Sequence, residues 1–169
     1  MPHIRKSKGS YIHVSATLHY RGEFNGIHDN RDQLEPYHIA TPYQVHVSAA
    51  KAGVDALSAV LAVEEGPWGV RSNVIAPGPI GGTEGMNRLS SQDPDAKQRS
   101  ITSVPVQRLG DIRDIANAAV FLFSDAASFI SGTILVVDGA SEHIRTPQLP
   151  YPESVLNPKA MISKIKPRL

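Results

Sequence analysis

Four groups of residues in this 169-residue chain have the types and spacing to do chemistry. Lys51 stands among small neighbours, with Ser48-Ala49-Ala50 before it and Ala52-Gly53 after it. Such neighbours leave room for a ligand beside the cation, and its charge lowers the pKa of nearby acids. The plain alternative is a solvated helix lysine. Pro77-Gly78-Pro79-Ile80 is a rigid turn that runs on into Gly81-Gly82-Thr83. At the carboxyl end of a strand it lies where open α/β sheets bind ligands; the alternative is a turn and nothing more. Asp138-Gly139 closes an apolar run. It offers a catalytic carboxylate, or only the turn that Asp-Gly commonly makes. Arg88 offers a cation to an anionic substrate, or to solvent. Other chemistries are excluded. With no cysteine there is no disulfide, thiolate nucleophile or cysteine zinc site. The seven histidines show no i, i+4 pair, so no metal site is expected.

These residues need elements to hold them. Ser10 to Ser15 reads as a strand, rich in residues that suit a pleated surface. Val47 to Glu65 reads as a helix: Ala50, Val54, Leu57 and Leu61 recur at helical spacing, and Gly66-Pro67 stops it. Val70 to Ile75 is a second strand, ended by Ala76-Pro77-Gly78-Pro79. Gly81 to Ser103 is a polar excursion. Asp111 to Phe123 is a second helix, with Ile112, Ile115, Ala119 and Leu122 on one face. Asp111 can cap its start and Asp114 lies in its first turn. Thr133 to Val137 is a third strand. Alternating strands and helices predict parallel strands joined by right-handed crossovers, the α/β class.

Composition agrees with one soluble domain: 41% hydrophobic, 20% charged and a net charge of +1. The charge argues against a nucleic-acid partner. No apolar run reaches the roughly 18 residues of a membrane span.

Together, in order and spacing, Ala50-Lys51-Ala52-Gly53, Asn73 to Ile80, Pro105 to Gly110 and Ser131 to Gly139 resemble the second half of the short-chain dehydrogenase/reductase family. The resemblance implies the C-terminal half of a Rossmann-type doubly wound sheet, with about three parallel strands. It implies NADPH as cofactor: Lys51 at the nicotinamide ribose, the backbone of Pro77, Gly78, Pro79, Ile80, Gly81 and Gly82 at the carboxamide end, and Thr83 facing the phosphates. The family's Gly-rich phosphate turn follows its first strand. No such turn occurs here, and only about nine residues precede Ser10. The expectation is therefore a chain whose cofactor-binding first half is absent, which alone binds NADPH weakly or not at all.

Departures narrow the chemistry. The family's tyrosine, four residues before the lysine, is Val47 here, and its serine after the first strand is Ala16; Tyr43 has the wrong spacing. Without a hydroxyl acid, carbonyl–alcohol interconversion is not expected. The peroxisomal 2,4-dienoyl-CoA reductase branch lacks both groups too. Val14 to Tyr20, Ala49 to Gly53, Gly82 to Leu89 and Leu135 to Gly139 resemble that branch, especially its fungal members. The resemblance implies NADPH-dependent reduction of 2,4-dienoyl-CoA to 3-enoyl-CoA in fatty-acid β-oxidation. It places Arg88 at the acyl-CoA and Asp138 near the site, and makes Lys51 and Asp138 the catalytic candidates. It also implies a homo-oligomeric parent enzyme. The alternatives are another enoyl- or acyl-CoA reductase, or an inactive fragment serving as an interaction module.

Residues 1–145 read as the truncated nucleotide-binding domain and 146–169 as a Pro-rich tail. Pro167-Arg168-Leu169 resembles, loosely, a peroxisomal address for an import receptor; without that reading the cytoplasm is expected. The polar stretch 22–40 interrupts the resemblance. Its ends can be encoded by splice-donor and splice-acceptor codons, so a translated intron is expected, and sequencing the transcript decides it.

Overall fold

The computed structural model describes residues 1–17, 45–84, 98 and 100–143. The polar stretch 22–40, Tyr43, Arg88 and the tail lie outside the described residues.

The first element is a short helix, α1 (Pro2–Ser7), absent from the sequence expectation. Proline at its start suits the first helical turn, and Arg5 and Lys6 favour its last. Arg5 ties it down through a bidentate pair with the almost fully buried Glu65, at 2.6 and 2.7 Å. The Arg5 guanidinium also lies 5.0 Å from the centre of the Trp68 ring. That hydrogen-bonded partner holds the Glu65 carboxyl below its ordinary pKa.

Three parallel strands follow in spatial order: β1 (Ser10–Val14), β2 (Arg71–Pro77) and β3 (Ile134–Val137). Ser10 pairs with Arg71 through to Val14 with Ile75, and Val74 pairs with Ile134 through to Pro77 with Val137. Strand β2, lying between the other two, is buried from Ser72 to Ala76. That explains its unbroken run of mostly small and apolar residues, as parallel strands covered on both faces require.

Helices α2 (Val45–Glu65) and α3 (Ile112–Phe123) cover the two faces. Side chains alternate along β2. Ser72 faces α2, where its hydroxyl shares a 2.9 Å hydrogen bond with buried Ser58. Ile75 faces α3, in the core cluster with Leu122 and Ala127, packed by Ile12, Ile115, Ala118, Ala119, Ile130, Leu135 and Val137. Both connections step the same way across the sheet yet place their helices on opposite faces, so their hands are opposite. Right-handed crossovers throughout therefore do not hold. The long excursion from Gly78 to Asp111 frees the second connection from the strand–turn–helix geometry that enforces the usual hand.

The helix faces also differ from expectation. On α2, Ala50 and Leu57 are exposed, while Val54, Ser58, Leu61 and Glu65 turn inward. Small Ser58 lets the helix approach Ser72, a reason hydrophobic spacing does not encode. On α3, Ile112 is exposed but Ile115, Ala119 and Leu122 pack inward. The Asp111 cap forms as expected. Its carboxylate accepts from the Arg113 N–H at 2.8 Å, and Asp114 closes the box by accepting from the Asp111 N–H at 2.7 Å. By length and a mean hydropathy of 1.3, Val45–Trp68 is one helix apolar enough to cross a membrane, contrary to the expectation from apolar runs. Its fixed contacts with β2 and its internal Lys51 and Asp55 make it a layer of the α/β domain.

Candidate functional site

The expected site residues that the structure describes lie at the carboxyl ends of the strands. Lys51 lies on the inward side of α2 and donates from Nζ to the Val14 carbonyl at 2.8 Å. The ammonium is thereby placed at the end of β1. Two hydroxyls lie beside it, both buried. Ser15 Oγ donates to the Lys51 carbonyl at 3.4 Å and Thr17 Oγ1 to the Pro77 carbonyl at 3.3 Å. Each is turned to a backbone oxygen. Ala16 and Val47, at the positions where a hydroxyl acid was looked for, offer none.

The Pro77–Thr83 loop is fixed from two sides. The Gly78 N–H donates to the Val137 carbonyl at 3.0 Å. A Cβ on Gly78 would stand 2.4 Å from the Asp138 Cβ and 2.8 Å from its Cα, so only glycine fits. On the other side Ile80 runs parallel to Gly110: the Gly81 N–H donates to the Gly110 carbonyl and the Gly110 N–H to the Pro79 carbonyl, both at 2.9 Å. Thr83 Oγ1 donates to the Ile80 carbonyl at 3.0 Å, across a turn in which Gly82 has φ +72°. None of the hydrogen bonds among the described residues uses the Ile80 N–H. Ile80 is half-buried, and a backbone donor left over there, at the strand ends where open α/β sheets bind ligands, can serve an acceptor.

Asp138 is occupied within its own turn. One oxygen accepts from the Ala140 N–H at 2.9 Å and the other from the Glu142 N–H at 2.7 Å. Its carbonyl accepts from Ser141 Oγ at 2.6 Å. The structure thus brings Pro77 to Thr83 and Asp138 together and sets Lys51 at the neighbouring strand end. Sequence reasoning put the backbone of Ile80 at the cofactor but missed the pairing of this segment with Gly110, some thirty residues further along the chain.

A cavity of about 270 Å³ lies against the loop, walled by Pro79, Ile80, Arg108, Asp114, Asn117 and Asp138 among others, but not by Lys51. It is too small for a dinucleotide and an acyl-CoA together. A larger one, of about 680 Å³, lies at the opposite strand ends, beside Lys8, Ser10 and Arg71, away from this chemistry. No group of histidine and acidic residues that could hold a metal occurs among the described residues.

Comparison with known proteins points the same way. The family model described as enoyl-(acyl carrier protein) reductase matches residues 36–140. The peroxisomal 2,4-dienoyl-CoA reductase of Saccharomyces cerevisiae is 47% identical over 165 residues, covering 96% of this chain and 49% of that protein. The Danio rerio protein of that name is 41% identical over 133 residues, covering 79% and 38%. A short chain dehydrogenase structure from Bacillus anthracis superposes with a TM-score of 0.61 at 34% identity, covering 86% of this chain and 50% of that one. The chain spans about half the length, or less, of these relatives. With its partial Rossmann-type sheet and a family match over most of its length, the chain belongs to the short-chain dehydrogenase/reductase family and resembles its NAD(P)H-dependent oxidoreductases.

Proposed function

We propose that this chain is the C-terminal half of a 2,4-dienoyl-CoA reductase that uses NADPH to form 3-enoyl-CoA. The observation that carries the reading is a cation and a backbone donor left over among the described residues at adjoining strand ends, where the described hydroxyls, Ser15 and Thr17, are turned to backbone carbonyls. Lys51 Nζ and the Ile80 N–H fit the ribose hydroxyls and carboxamide of a nicotinamide nucleotide. Bound there, NADPH would supply the hydride that adds to the far end of the conjugated diene. The thioester oxygen then carries the charge and the α-carbon takes a proton. Ser15 and Thr17 are engaged with carbonyls, so alcohol chemistry has no donor among the described residues at this place. Asp138 spends both oxygens on its own turn, which favours a role in shaping the loop through Gly78 over a role as acid. The protonating group is assigned to the preceding half of the parent enzyme.

That preceding half is supported by coverage and by physics. Relatives are about twice as long. Strand β1 pairs only with β2 among the described residues, and an open edge is an aggregation hazard. Leu57, Val60 and Val63 on α2, and Val120, Phe123 and Phe129 at and after α3, are exposed, as surfaces meant for further chain or a second subunit would be. Arg88 is assigned to the acyl-CoA phosphates or thioester arm, and Pro167-Arg168-Leu169 to a peroxisomal import receptor. The same coverage favours the second reading, an inactive fragment, for the 169-residue chain by itself.

The test is turnover. The intact parent, given NADPH, should reduce 2,4-hexadienoyl-CoA faster than 2-hexenoyl-CoA; the opposite order favours another enoyl-CoA reductase. A fluorescent protein carrying residues 146–169 should enter peroxisomes, and diffuse cytoplasmic signal would remove that assignment.

A further inference from the structure

The Pro77–Thr83 loop is paired with a second segment, a strap of residues 104–114, which also packs on the turn after β3. Val104 is buried at the start of the strap. With Val106 it packs so closely on Gly139 that a Cβ there would come within 2.8 and 2.6 Å of the two valines. Gln107 turns the strap at φ +56°, its backbone and side-chain N–H groups both donating to the Val104 carbonyl, at 2.8 and 3.0 Å. Gly110 then makes the two backbone bonds to Pro79 and Gly81. A Cβ there would lie 2.4 Å from Ile80 Cδ1, so the tip of that side chain would have to turn aside.

Arg108 and Asp114 close the strap on either side of Gly110. Arg108 donates through Nη1 and Nη2 to the two Asp114 oxygens, at 2.7 and 3.0 Å. Asp114 also accepts from the Asp111 N–H. One carboxylate therefore joins the residues just before Gly110 to the residue just after it. The helix cap alone does not need Arg108, because Asp111 and Asp114 complete it between themselves.

We propose that Arg108 and Asp114 are positioning residues: their ion pair holds Gly110 in register with Ile80 and so fixes the Pro77–Thr83 loop. The consequence for cofactor binding rests on the nicotinamide reading of that loop given above. Neither residue has to touch cofactor or substrate. The guanidinium beside it keeps the Asp114 carboxyl down to about 2, so the pair stays charged across ordinary pH.

Hydrogen exchange on the 169-residue chain reads the latch directly. Arg108→Ala and Asp114→Asn should each speed exchange at the Gly81 and Gly110 amides by roughly twofold to fivefold, the scale of a partly exposed ion pair. The Gly132 amide, which donates to the Ser72 carbonyl at 2.7 Å just ahead of β3, serves as reference and should not change. Arg108→Lys, which keeps the charge but not the fork, should fall between and stands in where the alanine variant does not fold. Unchanged exchange at Gly81 and Gly110, or an equal rise at Gly132, overturns the proposal. In the intact parent the same variants should raise KM for NADPH by the same factor with kcat held. Faster loop exchange with KM for NADPH unmoved supports the latch and removes the nicotinamide reading of the loop instead.

Discussion

Gly78→Ala is the substitution whose consequence can be worked most fully from the structure. The new methyl carbon would stand 2.4 Å from the Asp138 Cβ and 2.8 Å from its Cα. Carbon atoms pack best at about 3.5–4.0 Å, so the contact is roughly an ångström too short. The Cα is backbone at the end of β3 and cannot rotate away. Either the loop leaves the Gly78 to Val137 hydrogen bond or β3 shifts. Overpacking of this kind costs about 1–3 kcal/mol, or roughly 2–12 °C in the melting temperature of a chain this size. Gly53→Ala supplies the contrast. Nothing lies within 4 Å of its added carbon, in the middle of α2, so it should stabilise by about 0.5–1 kcal/mol. Thermal unfolding of the two variants beside the parent sequence is the assay. In the intact enzyme an ångström of misplacement at Ile80 should also cost about a hundredfold in NADPH-dependent turnover. If Gly78→Ala melts within a degree of wild type and keeps its turnover, the clamped loop is refuted.

Lys51→Ala should abolish the bond to Val14 and lower NADPH-dependent turnover of the parent by at least about tenfold, as loss of a charged hydrogen bond does; initial rates measure it, with Lys51→Arg recovering part. Leu122→Ala, emptying a 1% exposed core position, should cost about 2–5 kcal/mol in denaturant unfolding. Asp114 has a folded-state pKa of about 2, below the roughly 3.9 of an unfolded aspartate. A carboxyl depressed on folding contributes its stability in full above the unfolded value and loses it as pH falls from about 4 toward 2. The melting difference between wild type and Asp114→Asn should therefore be constant near neutrality, shrink below pH about 4 and disappear only below pH about 2.

The layers were legible in the sequence because burial on both faces leaves a run such as Val74-Ile75-Ala76, and because Asp111 and Asp114 announce a helix start. The Pro-Gly-Pro turn showed its place at a strand end through proline and glycine alone. What was hidden depends on partners distant in sequence. The inward turn of Ser58 is set by Ser72, the short helix α1 by Arg5 finding Glu65, and the requirement for glycine at 78 by Asp138. The hand of the second crossover is hidden for a like reason: it follows from where a long excursion lets α3 land. Lys51 was found by its small neighbours, but its lean onto the Val14 carbonyl was not, since that needs β1 and α2 already packed.

The central claim, half of a diene reductase, is tested most directly by product analysis. A protein in which this chain follows a first half like that of its longer relatives should be incubated with NADPH and 2,4-hexadienoyl-CoA, and the thioester product identified by mass and double-bond position. The account predicts 3-hexenoyl-CoA formed at the expense of NADPH, with no reduction of a ketone offered in its place. Ketone reduction without diene turnover, or 2-hexenoyl-CoA as the product, would contradict it.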